Sequence, residues 1–192
     1  MDNEQHTPLE RALNLIGGLQ RRDFLKFASA AVALSGMGGS GAAWAATLKS
    51  INPMEANIFH RVAQVTLPVE GSILAPWKPD VLLHTLDAAL LGTMAPHILA
   101  GLKGGVAYFN DGPKAMHGKT FVELDNAQAT RFLDDWGNAP EVPHRALAAG
   151  LKKLVQLSYW ANPETWPPLG YDGPITQRNG LVSLGNAPLP TQ

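Results

Sequence analysis

Apolar residues between positions 52 and 160 recur at helical spacing and nowhere sustain the two-residue alternation of a half-buried strand. Asn52-Pro53-Met54-Glu55 opens the first run, with Asn52 as N-cap, Pro53 at the first helical position and Glu55 three residues after the cap. Met54, Ile58, Val62 and Val65 then share one stripe. This helix should stop near Leu67, because a residue ahead of proline (here Pro68) is pushed out of the α region. Residues 68–79 hold three prolines, at 68, 76 and 79, and read as a loop. A second helix over 79–91 places Leu83, Leu86 and Leu90 inward and is broken by Gly92-Thr93. A third starts near Pro96 and buries Leu99, Leu102, Val106 and Phe109, tolerating Gly104-Gly105 at some cost. Asn110-Asp111-Gly112-Pro113 reads as a turn, and 121–124 as a short extended piece. Asp125 caps a fourth helix, with Gln128 three residues on; Phe132, Leu133 and Trp136 anchor it and Gly137-Asn138 ends it. After Pro140 and Pro143 a fifth helix reaches Trp160 with Leu147, Leu151, Leu154 and either Leu157 or Ser158 inside. The expectation is an all-α single domain of about five helices.

The pattern changes at both ends. Over 162–192, Asn162-Pro163, Trp166-Pro167-Pro168 and Leu169-Gly170-Tyr171-Asp172-Gly173-Pro174 mix rigid prolines with large aromatics, which argues against helix and for an extended, irregular tail. Such a tail must lie along its own domain or along a partner. Tyr159, Trp160, Trp166 and Tyr171 are the densest aromatic group. They either seal the tail onto the helices or form a partner interface, where Trp and Tyr bury much area at low entropy cost.

At the other end, Arg21-Arg22-Asp23-Phe24-Leu25-Lys26 is followed by an Ala/Gly/Ser-rich apolar run and by Ala43-Trp44-Ala45. An arginine pair, Phe-Leu-Lys, a mild apolar region and a small-residue cleavage site have the layout of a twin-arginine export signal. Arg21, Arg22, Phe24, Leu25 and Lys26 are its determinants, and Gln20 stands where Ser or Thr is usual. The apolar region is too short and too weakly apolar to cross a hydrocarbon core of roughly 30 Å. The competing reading is a basic amphipathic N-terminal helix. Residues 1–45 are therefore expected to be a signal, 46–161 a helical domain and 162–192 the tail. Because this route carries folded cargo, a periplasmic destination is expected.

Composition removes chemistries rather than adding them. The 192 residues hold no cysteine, which excludes disulfides, thiolate metal sites, iron–sulfur clusters and c-type haem attachment in this chain. Fifteen Lys and Arg against sixteen Asp and Glu, interspersed, give no basic stripe for nucleic acid. His60, His84, His97, His117 and His144 never fall three or four apart, the spacing of a helical metal pair. His84 and Asp87, one turn apart, read more readily as a surface hydrogen bond than as part of a ligand set. Asp134-Asp135 and Glu123/Asp125 sit at helix ends, where capping accounts for them. No nucleophile elbow, phosphate loop or dinucleotide fingerprint is present. The residues therefore offer no catalytic, cofactor or metal site.

The arginine-pair signal, the Asn-Pro-Met-Glu-Ala…Val-Ala-Gln-Val-Thr-Leu-Pro helix of 52–68, Gly118-Lys119-Thr120-Phe121…Leu124 and the close from Tyr159-Trp160-Ala161-Asn162-Pro163 to Leu169-Gly170-Tyr171-Asp172-Gly173-Pro174 together resemble the gluconate 2-dehydrogenase subunit 3 family. The resemblance implies a non-catalytic small subunit that supplies the export signal for a glucose–methanol–choline-type flavoprotein dehydrogenase acting on a sugar, sugar acid or other alcohol, and helps it mature. FAD would then sit in the large subunit. A multihaem cytochrome c subunit and the twin-arginine translocase are the further partners it implies, with any membrane association made through the complex. The alternative, from a different class, is a free-standing periplasmic helical module that binds a small ligand.

Overall fold

The structure is a computed structural model, and the residues it describes are 48–180, the side chains of Thr176 and Gln177 excepted. Among these residues all regular structure is helical. Five principal helices are α1 (Pro53–Thr66), α2 (Pro79–Thr85), α3 (Pro96–Asp111), α5 (Asn126–Gly137) and α6 (Val142–Trp160), and two single turns are α4 (Lys114–His117) and α7 (Ile175–Arg178). The all-α expectation holds.

The 19-residue α6 is the axis. It packs against α5, α1, α2 and α3, and the core closes around its buried Leu147, Leu151, Leu154, Val155 and Ser158. Ser158 takes the inward position and Leu157 is half-buried; the Ser158 hydroxyl is satisfied by donating to the Leu154 carbonyl at 2.9 Å. Opposite lies an aromatic block in which Phe109 meets Phe121 at 4.7 Å, Phe132 at 5.3 Å and Trp136 at 5.2 Å, in tilted and edge-on geometries that suit ring quadrupoles.

Local signals explain the boundaries. Asn52 and Glu55 form a reciprocal capping box at α1, as do Asp125 and Gln128 at α5. Prolines open α1, α2 and α3. Helix α1 stops at Thr66, as Pro68 requires.

Four local expectations are corrected. Met54 is 56 % exposed, because the buried face of α1 is turned toward Ile58, Phe59, Val62 and Ala63. The second helix is not uniform: it widens into a π-turn over Leu86–Leu90 and tightens into a 3-10 turn over Leu91–Thr93. Asn110-Asp111-Gly112-Pro113 is no simple turn, since α3 runs through Asp111 and the chain passes in right-handed helical geometry into α4. Asn110 is spent on a tertiary bond, its side-chain oxygen accepting the Val122 N–H at 3.3 Å. Residues 121–123 are a 3-10 turn rather than extended, clasped by the Glu123 carboxylate, which accepts from both the Thr120 N–H and hydroxyl. Those bonds, the hydroxyl's first, hold the Glu123 carboxyl below its usual range.

Candidate partner interface

The tail is folded rather than extended up to Gly180. Pro163–Thr165 and Pro167–Leu169 are consecutive 3-10 turns, and Gly170 closes the second in left-handed geometry (φ 68°). Proline supplies the fixed φ that such turns need and gives up a donor that a long helix would have used. The segment folds back on the end of α6. Trp166 donates its indole N–H to the Trp160 carbonyl at 2.8 Å, and its ring meets the edge of Tyr171 at 5.2 Å. Thr165 donates to the Asn162 carbonyl at 2.7 Å, and Lys78 ties the preceding loop to Glu164 at 2.8 Å.

This arrangement divides the four aromatic candidates. Tyr159 is 2 % exposed, and its hydroxyl donates to the Ala75 carbonyl at 2.8 Å, pinning the 68–79 loop to α6. Burial pushes its phenol upward, with that hydrogen bond pulling the other way. Trp166 is 9 % exposed. Both are internal pillars, so of the two expected roles they take the one that seals the tail onto the helices and not the partner interface. Trp160 is half-buried and Tyr171 is 41 % exposed, so these two remain available to a partner. Leu169 and Ile175, not singled out by the sequence, are exposed on the same segment. The signal residues Arg21, Arg22, Phe24, Leu25 and Lys26 lie outside the described residues.

A clasp missed by the sequence reading joins the start of the described chain to the second helix. Asp87, in the π-turn, is 3 % exposed. Its carboxylate accepts the N–H groups of Lys49 at 2.9 Å, Ser50 at 2.7 Å and Ile51 at 3.0 Å. Asp87 is thus a buried backbone anchor. Lys103, on α3, completes the seat: its ammonium pairs with the buried Glu55 at 3.2 Å and donates to the Ser50 carbonyl at 3.1 Å. A carboxylate within the apolar run Leu86-Asp87-Ala88-Ala89-Leu90 was the available signal, since an ion is placed there only when its acceptors are filled.

Two open clefts flank the α1–α5 junction. One, of about 400 Å³, is lined by Gln64, Leu67, Val69, Glu70, Trp77 and Asn126; the other lies on the outer face of α5 around Thr130 and Arg131. Between them Arg61 bridges the helices, donating to Asn126 at 2.7 Å and to the Leu124 carbonyl at 2.6 Å. Beside it His60 meets the edge of Trp77 at 5.4 Å, and burial, then the Arg61 charge, hold the imidazole below its usual value. Among the described residues no three His, Asp or Glu side chains converge as metal ligands, and no helix is long and apolar enough to cross a membrane.

The fold and this surface define a small all-α module built around one long axial helix. No protein-family model matches the chain, and neither a curated protein nor a solved structure is similar to it.

Proposed function

We propose that this chain is the non-catalytic small subunit and export escort of a periplasmic FAD-dependent dehydrogenase of the glucose–methanol–choline type. The observation that carries the reading is the layout of 21–45, an arginine pair with Phe-Leu-Lys, a mild apolar run and Ala-Trp-Ala. A signal of this kind serves cargo that folds before export. Two structural features agree with the role. Residues 49–51 are seated on a buried carboxylate, part of a packed helical body of the kind such a signal serves. The tail leaves Leu169, Tyr171 and Ile175 in solvent, apolar area that a large subunit would cover. FAD belongs to the large subunit in this reading, and a multihaem cytochrome c and the translocase are its further partners.

The test is affinity capture of the tagged precursor. A yellow, flavin-bearing chain should co-purify, and deletion of the gene should leave that flavoprotein inactive in the cytoplasm. Full periplasmic activity in the deletion strain overturns the proposal. The open cleft beside Trp77 favours one competing reading, a free-standing ligand-binding module, which requires a monomer that captures no flavoprotein.

A further inference from the structure

Tyr108 of α3 meets Glu141 and His144, one turn apart at the start of α6, at the end of the bundle where α3 closes on α6. The Tyr108 hydroxyl lies 2.9 Å from His144 Nε2, and His144 Nδ1 lies 3.5 Å from the Glu141 carboxylate. The imidazole is stacked on Trp136 at 4.2 Å and 21°, and Trp136 is itself buried, so the ring plane is fixed from below. The phenol ring lies along the same pair, 5.5 Å from Trp136 and 5.8 Å from His144. A carboxylate at Nδ1 favours the tautomer that carries its proton there. That leaves the Nε2 lone pair as acceptor, and the phenol as donor. Phenol and base are thus within hydrogen-bond distance, with a carboxylate in ion-pair range of the base's other nitrogen, the order of groups that activates a hydroxyl for attack. Tyr108 is 52 % exposed, so an electrophile can reach it.

We propose that Tyr108 is a nucleophilic phenol and a covalent acceptor for activated acyl groups. Its oxygen attacks the acyl carbon while its proton passes to His144 Nε2. The bond from the acyl carbon to the leaving group then breaks, and the imidazolium returns the proton to the departing atom. The products are an O-acyl tyrosine and the protonated leaving group, with His144 restored.

The chain supplies its own controls, because it holds three tyrosines. Tyr171, 41 % exposed, packs edge-on with Trp166 and, among the described residues, has no imidazole against its hydroxyl, whereas Tyr159 is buried on the Ala75 carbonyl. The full chain is treated with N-acetylimidazole, and the acetylation rate at each tyrosine is read by peptide mass spectrometry. Tyr108 should react about tenfold or more faster than Tyr171, a modest share of what a positioned base contributes in enzymes, and Tyr159 should stay unmodified. His144→Gln should bring Tyr108 down to the Tyr171 rate and leave Tyr171 unchanged. Acetylation of Tyr159 would report unfolding of that variant. Glu141→Gln, at an exposed position, then decides: it should slow Tyr108 severalfold with Tyr159 still silent. Equal rates at Tyr108 and Tyr171 in the unaltered chain, or a Tyr108 rate indifferent to the substitution that stays folded, overturn the assignment.

Discussion

Gly112 shows how little room single residues have in this core. A Cβ built there would stand 2.6 Å from Trp136 Cζ2 and 2.7 Å from Phe132 Cζ, atoms of packed rings that cannot swing aside. Gly112→Ala should therefore destabilise by about 1–3 kcal/mol despite the better helix propensity of alanine, since overpacking outweighs propensity here. Urea unfolding checks this, and a gain in stability would show that the rings yield. At Asp87, three N–H donors depend on one carboxylate. Asp87→Ala should cost at least about 2 kcal/mol by leaving those donors without an acceptor, and hydrogen exchange should show the amides of 49–51 losing protection. Asp87→Asn, which keeps one acceptor oxygen, should lose less. His60 gives a pH signature: its pKa is lowered by burial and then by Arg61, so the unfolded chain binds its proton first as pH falls. The contribution is complete above about pH 6.5 and is lost as pH drops through the window down to the lowered folded value. The melting temperature should fall between pH 7.5 and 5.5, and His60→Gln should flatten that part of the curve.

Whole elements are governed by caps and by the face they bury. Asp125 accepts the Gln128 N–H at 2.8 Å, and Gln128 reaches back to the Asp125 N–H at 3.4 Å. Asp125→Ala should cost about 1 kcal/mol, measured by chemical denaturation, because one helix-end donor loses its partner. Helix existence and the α1 and α5 caps were legible from residue type and spacing, since capping bonds span only three residues. The π-turn at Leu86–Leu90 and the continuation of α3 through Asp111 were not. Both depend on partners far along the chain: Asp87 on 49–51, and Asn110 on Val122. Met54 misled for a related reason. Its spacing fits the apolar stripe, but the rotation of α1 is set by where α6 lies, and Phe59 takes the inward place.

For the whole molecule, the consequence is a tail whose rigid turns are held by Tyr159 and Trp166 and whose outer side is left open. Trp166→Ala should destabilise the chain by about 3–5 kcal/mol, the range for emptying a large aromatic site, whereas Tyr171→Ala should change stability little. Pull-down of the proposed flavoprotein separates the roles: Tyr171→Ala should weaken capture while the melting temperature holds. Paired Arg21→Lys and Arg22→Lys should stop export with folding intact, because a guanidinium fork and an ammonium offer different hydrogen-bond geometries. Cell fractionation reads that outcome.

Residue order alone determined that the described residues are helical, where α1, α5 and α6 start and stop to within a turn, and that cysteine chemistry is closed to this chain. These follow from contacts between residues a few positions apart. Tertiary structure decided which aromatics are pillars and which face solvent, that Asp87 faces inward onto three amides, and that Tyr108, His144 and Glu141 stand together. Glu141 and His144 are three residues apart, but Tyr108 and the other partners come from distant parts of the sequence, and spacing carries no record of such meetings.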